Sequence, residues 1–154
     1  MKKFTVISGG QTGVDRGALD AAINLEISHG GWCPKGRVAE DGKISKKYVL
    51  RETKSEVFAV RTRCNISHAD ATLIISPFPI VGGTLLAVKE TTRQNKPLLV
   101  VYPTRTDCLL IFEWLLTHKV SVLNVAGPRE SEHPEIYLYS YQIVCKILQM
   151  LSRK

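Results

Sequence analysis

Residues 4–16, FTVISGGQTGVDR, carry the pattern from which the fold prediction starts. Its first residues, Phe4–Ser8, form a short apolar, β-branched run that is typical of a buried strand. The glycines of Gly9–Gly13 indicate a tight turn, and Thr12 with Asp15 three residues later resembles the capping box that begins a helix. Strand, glycine turn and helix N-terminus together present unpaired backbone N–H groups to an anion. The stretch therefore predicts a phosphate site, although similar turns also occur where nothing binds.

The turn differs from the two common nucleotide-binding motifs. No Lys follows Gly13, as a Walker A loop would require, and Gly9-Gly10-x-x-Gly13 lacks the spacing of a dinucleotide fingerprint. The sequence therefore argues against ATP hydrolysis of the P-loop kind. A nucleotide or another phosphorylated ligand held by a different loop stays open.

Length and charge narrow the class of protein. The 154 residues predict one domain, residues 1–154, with a core of useful size. A net charge of +7 and a pI of about 9.4 favour anionic partners. Because the basic residues are spread along the chain, without the basic–aromatic clusters of RNA-binding proteins, the pattern argues against nucleic acid. We expect an anionic small-molecule ligand.

Other patterns concern location and metals. No apolar run approaches the roughly 20 residues of a membrane span, so we expect no membrane partner. The apolar stretch behind Lys2 and Lys3 is too short for a signal peptide, which favours the cytoplasm. The four cysteines form no C-x-x-C pair, so we expect no structural metal site.

Alternating strand and helix patterns follow the opening stretch. We predict helices over 14–26 and 107–118, a terminal helix marked by Leu138, Tyr141, Cys145, Leu148 and Leu151, and strands over 56–63, 70–76, 97–102 and 120–125. This alternation predicts an α/β fold, a three-layer Rossmann-like parallel sheet with helices on both faces. The turns after the strands that end near Ser8, Ser76 and Val125 should then lie along one edge of the sheet, where such folds bind ligands.

Several residues at that edge suit an anion. Gly82-Gly83-Thr84 repeats the opening theme, with Thr84 as the expected helix cap, and Gly127 and Arg129 follow a late strand. Arg61, near the end of the strand predicted over 56–63, would face the same edge or be plain solvated surface.

The loop over residues 32–42 has two interpretations. Trp32, Lys35 and Arg37 suit stacking on a ring and neutralising a phosphate. Alternatively, the segment is a surface loop whose Trp fills the core.

Several blocks of the chain resemble one known family. Residues 8–16, 31–37, 39–42, 71–74, 82–84 and 123–131 are similar to the molybdenum carrier family, which is similar in turn to the SLOG superfamily of Rossmann-like ligand-binding domains. The resemblance implies a carrier that binds molybdenum cofactor, a phosphorylated pterin, or a related nucleotide, as a homo-oligomer (dimer or tetramer). The aromatic residues of the terminal helix, Tyr137, Tyr139 and Tyr141, would suit such an interface.

The same superfamily implies an alternative, a nucleoside monophosphate phosphoribohydrolase. Its motif Pro-Gly-Gly-x-Gly-Thr-x-x-Glu matches here only in Gly82-Gly83-Thr84, and Ala87 stands where the Glu is expected, with Glu90 as the nearest Glu. Without that carboxylate, hydrolysis would need Asp15 or Glu130 as acid or base. This mismatch favours a binding protein over an enzyme.

The predicted site has no catalytic residue and no metal ligand. Glycine-turn N–H groups would hold a phosphate, arginine and lysine would add charge, Trp32 would stack on the ring, and Asn124 would bind its edge. The predicted ligand-binding residues are Gly9, Gly10, Gln11, Thr12, Gly13, Asp15, Arg16, Trp32, Lys35, Arg61, Gly82, Gly83, Thr84, Asn124, Gly127 and Arg129.

Overall fold

The computed structural model describes residues 3–154, and Met1 and Lys2 lie outside the described residues. Strands and helices alternate along most of this chain. In order they are β1 (Thr5–Ile7), α1 (Val14–Asn24), β2 (Ser28–Gly30), β3 (Trp32–Cys33), β4 (Val38–Ala39), β5 (Gly42–Lys43), β6 (Arg51–Glu52), α2 (Phe58–His68), β7 (Ala71–Ile75), α3 (Gly82–Arg93), β8 (Leu98–Val101), α4 (Cys108–Thr117), β9 (Val122–Ala126) and α5 (Ile136–Ser152).

A five-stranded parallel sheet forms the centre of the fold. Its order is β2-β1-β9-β7-β8, so the last strand of the chain lies between β1 and β7. If the count starts at β9 and continues from β1, the order becomes 3-2-1-4-5, which is that of doubly wound sheets. In such sheets the ligand crevice lies where the strand order reverses, which is here between β9 and β7.

Helices cover both faces of this sheet. Along β7, Leu73 and Ile75 point to the face that α1, α4 and α5 cover, whereas Ile74 points to α2 and α3. Because successive strand residues point to opposite faces, this burial on both sides explains the continuous apolar run of β7. The predicted three-layer α/β fold is confirmed.

Residues 31–57 leave the sheet and form a small subcluster beside α1. The strands β3 and β6 pair with each other, as do β4 and β5, and Cys33, Ile44 and Tyr48 pack against Leu19. The guanidinium of Arg37 donates hydrogen bonds to the backbone carbonyls of this segment, among them Ser45 at 2.8 Å and Tyr48 at 2.9 Å. Arg37 therefore binds the backbone of its own segment.

The strand predicted over residues 56–63 is wrong, because this segment begins α2. A run of four apolar residues, Val57–Val60, is too short to separate strand from helix by its pattern. The buried residues of α2 are Asn65 and Ile66, which lie beyond the predicted strand. Ile66 packs against Ile74 and Ala87, so the contact with β7 and α3 decides the conformation.

The predicted side-chain caps are also absent from two helices. The N-cap of α1 is Gly13 and that of α3 is Val81, and neither makes a side-chain cap hydrogen bond. Thr12 donates to Glu40 instead, and Thr84 lies within the first turn of α3.

The buried stripe of α5 differs partly from the predicted one. Leu138 is half exposed, whereas Ile136, Ile143, Val144 and Ile147 are buried. Among helices in residues 3–154, none has both the length and the apolar character needed to cross a membrane.

We predict that Gly127→Ala destabilises the fold by about 2 kcal/mol, because a Cβ there would lie 2.3 Å from the carbonyl oxygen of Ile75. That oxygen belongs to a buried strand and cannot move aside easily. Urea unfolding measures the change. Gly83→Ala is the matched control, since a Cβ at position 83 would have no heavy atom within 4 Å, and its effect should stay within about 0.5 kcal/mol. Equal stability of both variants would contradict the prediction.

Candidate functional site

A cavity of about 280 Å³ opens at the carboxyl ends of β1 and β9. It lies where the strand order reverses, between the first turns of α2 and α3 and the loop that follows β9. Ser8, at the end of β1, donates its hydroxyl to the carbonyl of Val125 at 2.6 Å and holds these two strand ends together. The pocket is therefore where the fold class predicts a ligand.

An ion pair between Asp15 and Arg61 forms one wall of the pocket. The Arg61 Nη1 lies 3.2 Å from the Asp15 Oδ2, which also accepts the backbone N–H of Gln11 at 3.1 Å. Burial raises the pKa of Asp15, although Arg61 and the Gln11 N–H oppose the rise. A Cβ at position 9 would lie 1.9 Å from the Arg61 Nη1, so Gly9 leaves the space that the guanidinium fills.

The first turn of α3 faces the pocket from the opposite side. Gly83 and Thr84 line the cavity, and no side chain caps the helix. The first backbone N–H groups of a helix have no intrahelical partner, and the helix dipole favours negative charge there. This helix end is therefore suited to an anion.

Strand β9 contributes an amide to the pocket, and the loop after it contributes an arginine. Arg129 Nε donates to Glu132 at 2.8 Å and lies 3.8 Å from a Glu40 oxygen, and the bond with Glu132 raises the pKa of Arg129. Asn124, buried within β9, donates to the Thr72 hydroxyl at 3.3 Å and lines the pocket.

Two of the five N–H groups of the opening glycine turn, and the N–H of Val14 directly after it, already have partners. The Gln11 N–H donates to Asp15, the Thr12 N–H to the Gln11 side chain, and the Val14 N–H to the Pro128 carbonyl at 3.2 Å. The turn therefore has less capacity for an anion than its sequence indicates, because two of its N–H groups are already bonded within the protein.

The structure brings together nine of the predicted site residues along the pocket and leaves seven elsewhere. Those that line the pocket are Gly9, Gln11, Asp15, Arg61, Gly83, Thr84, Asn124, Gly127 and Arg129. Those outside the pocket lining are Gly10, Thr12, Gly13, Arg16, Trp32, Lys35 and Gly82.

Three of these outside residues have other contacts. Arg16 makes a bidentate pair with Asp41 and donates to the Gly10 carbonyl at 3.0 Å. Trp32 lines a second cavity, where its ring centre lies 5.5 Å from that of His68. Lys35 is exposed, and its backbone N–H donates to the carbonyl of Ser55 at 2.9 Å.

Sequence reasoning missed four polar or aromatic pocket residues, three of them on α2. Phe58, Thr62 and Asn65 line the pocket. The strand predicted over 56–63 conceals the first two, and Asn65 lies beyond it. Glu132 is the fourth, and its spacing of three from Arg129 could have indicated the ion pair.

The pocket has no carboxylate at the position where the phosphoribohydrolase motif has Glu. Ala87, where that motif has Glu, lines the pocket with a methyl group. Glu90 binds Arg93 and Gln94 instead, and these bonds lower the pKa of Glu90 to about 2. Glu130 accepts the Tyr137 N–H at 3.4 Å.

Within residues 3–154, no group of three or more His, Cys, Asp or Glu side chains could hold a metal ion. The donors around the pocket are guanidinium, amide, hydroxyl and backbone N–H groups. These groups bind oxyanions rather than cations.

Residues 6–148 match the circularly permutated YpsA SLOG family, and the chain therefore belongs to that family. The position of β9 fits this description, since the doubly wound order appears when the count starts at the last strand. The resemblance to SLOG proteins is confirmed.

One solved structure is similar over nearly the whole chain. It is that of a "putative molybdenum carrier protein" from Syntrophus aciditrophicus SB, with 40% identity and a TM-score of 0.89, and the match covers 94% of this chain and 95% of that one. The resemblance to molybdenum carriers is therefore confirmed as well. No curated protein matches the chain.

We predict that Glu90→Gln weakens the fold in a pH-dependent way. Folding lowers the pKa of Glu90 from 4.5 to about 2, so its ionised form stabilises the fold above about pH 4.5, and this contribution is lost as the pH falls toward about 2. The variant should unfold at lower urea than the parent near neutral pH. The gap should narrow in acid, and a gap of constant size would contradict the prediction.

Proposed function

We propose that the pocket binds a phosphorylated ring compound, either molybdenum cofactor or a related nucleotide, and that the protein acts as its carrier. The observation that carries the proposal is the convergence of an uncapped helix end with Arg61, Arg129 and Asn124 on one pocket. The similarity to a protein described as a molybdenum carrier supports the choice of cofactor.

Each part of the pocket has a role in this proposal. The first-turn N–H groups of α3 and the guanidinium of Arg61 bind the phosphate, because charge-assisted hydrogen bonds to oxyanions are strong. Arg129 binds a second anionic group at the rim. Asn124 binds the edge of the ring, and Phe58, which lines the pocket, offers an apolar surface for its face.

Molybdenum is cargo in this proposal. The nitrogen and hydroxyl donors of the pocket suit the phosphate and ring of the cofactor, so the metal would enter already bound to its own pterin. The cytoplasm and a homo-oligomeric state are parts of the same proposal. Tyr137 and Tyr141 already stack on each other and bond to α1 through Asp20 and Asn24, so an interface would use other residues in addition.

Native mass spectrometry of the purified protein, followed by denaturation and analysis of the released molecule, tests the ligand. A pterin with molybdenum is the expected result. A nucleotide would support the same pocket with a different cargo, and an unphosphorylated or cationic molecule would contradict the proposal. The intact mass also counts the subunits.

We predict that Gly83→Asp lowers the affinity for the released ligand at least about tenfold, because it adds a carboxylate beside the phosphate site. The substitution should leave the fold intact, since a negative charge in the first turn of a helix stabilises it. Isothermal titration calorimetry measures the affinity and thermal unfolding the fold. Gly83→Ala is the control for side-chain size, and unchanged affinity in Gly83→Asp would exclude this helix end from the site.

A second candidate function, nucleoside monophosphate hydrolysis, is favoured by one observation. Asp15 lines the pocket, and burial raises its pKa toward the range of a general acid. We expect incubation with nucleoside monophosphates to release no free base. Release of base that Asp15→Asn abolishes would replace the carrier proposal with the enzyme.

A further inference from the structure

The Arg61–Asp15 pair has an unusual place for an ion pair, because it lines the pocket that should receive an anion. The exposed fractions of the two side chains are 11% and 9%, so both charges are largely out of water. A buried cation that is already neutralised attracts an anion much less than a free one. Binding at Arg61 must therefore compete with Asp15.

We infer that Asp15 is a specificity residue that occupies the anion's place on Arg61, so that an oxyanion binds there only together with one proton. The inference rests on the proposed function, since it concerns the same phosphate site. The proton resides on Asp15 or on the oxyanion itself, and these two forms share one overall charge. The anion and the Asp15 carboxylate would otherwise repel each other inside a buried site.

The contacts of Asp15 support this exchange. Its Oδ2 accepts from Arg61 and from the Gln11 N–H. The Gln11 N–H is neutral and cannot balance the carboxylate charge as the guanidinium does. If Arg61 turns toward a ligand, an ionised Asp15 keeps only neutral donors, the Gln11 N–H and the Ser8 hydroxyl. A buried carboxylate in that position takes up a proton, and its burial already raises the pKa of Asp15 in the paired state.

Other charged groups near Asp15 are committed elsewhere. Arg16, on the same helix as Asp15, forms an ion pair with the half-exposed Asp41. Arg129, from the loop after β9, pairs with Glu132 and lies near Glu40. Within residues 3–154, Arg61 is the cation within salt-bridge distance of Asp15.

Gly9 makes the arrangement movable. The Arg61 Nη1 lies where a Cβ of residue 9 would stand, so the guanidinium rests on bare backbone. Its further contacts are the Phe58 carbonyl at 3.2 Å and the Phe58 ring at 5.4 Å, both at the open end of α2. Because Gly9 has no side chain, the Arg61 guanidinium can move across Gly9 into the pocket without displacing a side chain at that position.

The chemical consequence is a preference among oxyanions. Inorganic phosphate keeps a P–OH proton throughout the neutral range, and a phosphate monoester, with a second pKa of about 6, keeps one below about that pH. This P–OH group can donate to Asp15. Sulfate carries no such proton, so Asp15 must first be protonated from solution. The site should therefore prefer phosphate to sulfate, and the preference should depend on Asp15.

The test is calorimetric titration of the full chain with sodium sulfate and with sodium phosphate at about pH 6 and about pH 8. For one linked proton, sulfate affinity of the parent protein should fall by about tenfold per pH unit above the pKa of Asp15. Asp15→Asn keeps an oxygen for the Gln11 N–H but has no charge. It should bind sulfate more tightly than the parent at about pH 8, with no pH dependence and with the phosphate preference lost.

Asp41→Asn is the matched control, because it removes the carboxylate of the neighbouring Arg16 pair outside the pocket lining. Its sulfate affinity should follow the parent at both pH values. Titrations of the parent in two buffers of different ionisation enthalpy count the protons directly, so the inference stays testable even if Asp15→Asn fails to fold. Uptake of one proton per sulfate is expected.

Two negative outcomes have different meanings. Sulfate binding without proton uptake, or an Asp15→Asn variant that binds sulfate no more tightly than the parent, overturns the inference and leaves the proposed phosphate site intact. If neither anion binds to the parent or to Asp15→Asn at either pH, both the inference and the proposed phosphate site are wrong.

Discussion

The pairing of β9 between β1 and β7 is the constraint on which the pocket depends. It brings residues more than a hundred positions apart into contact, as the bond from the Ser8 hydroxyl to the Val125 carbonyl shows. Gly127, directly after β9, then lies against the Ile75 carbonyl, where a side chain would not fit. Because parallel strands end at one edge, three loops meet there and enclose the cavity.

The charges of the pocket are balanced before any ligand enters. Arg61 is paired with Asp15, and Arg129 with Glu132, so the net charge of +7 does not translate into free cations at the site. The end of α3 is different, because its N–H groups contribute positive partial charge without a carboxylate partner. An anion can therefore begin to bind at α3 and then compete for the arginines.

The departure from the phosphoribohydrolase motif has a clear place in the structure. Ala87 lies in the pocket where that motif has Glu, and Glu90 is held one turn away by Arg93 and Gln94. The pocket carboxyl that remains largely buried is Asp15, and it comes from α1 rather than α3. The family fold is thus retained while the acid–base group expected on α3 is absent.

The layers of the fold follow from the sequence, because buried parallel strands are apolar runs, and the glycines directly after these runs indicate the edge of the sheet at which the pocket lies. The sequence also indicates Gly83, Asn124, Arg61 and Arg129, which line the pocket, although its pattern predicts a strand for Arg61 and the structure has a helix there. Tertiary structure alone decided that residues 58–68 form a helix, since Ile66 gains its partners from β7 and α3. It also decided that Arg16 and Trp32 lie outside the pocket and that Phe58 lies within it. Local patterns record which side chains prefer burial or charge, but the partner of each charge depends on how distant segments pack.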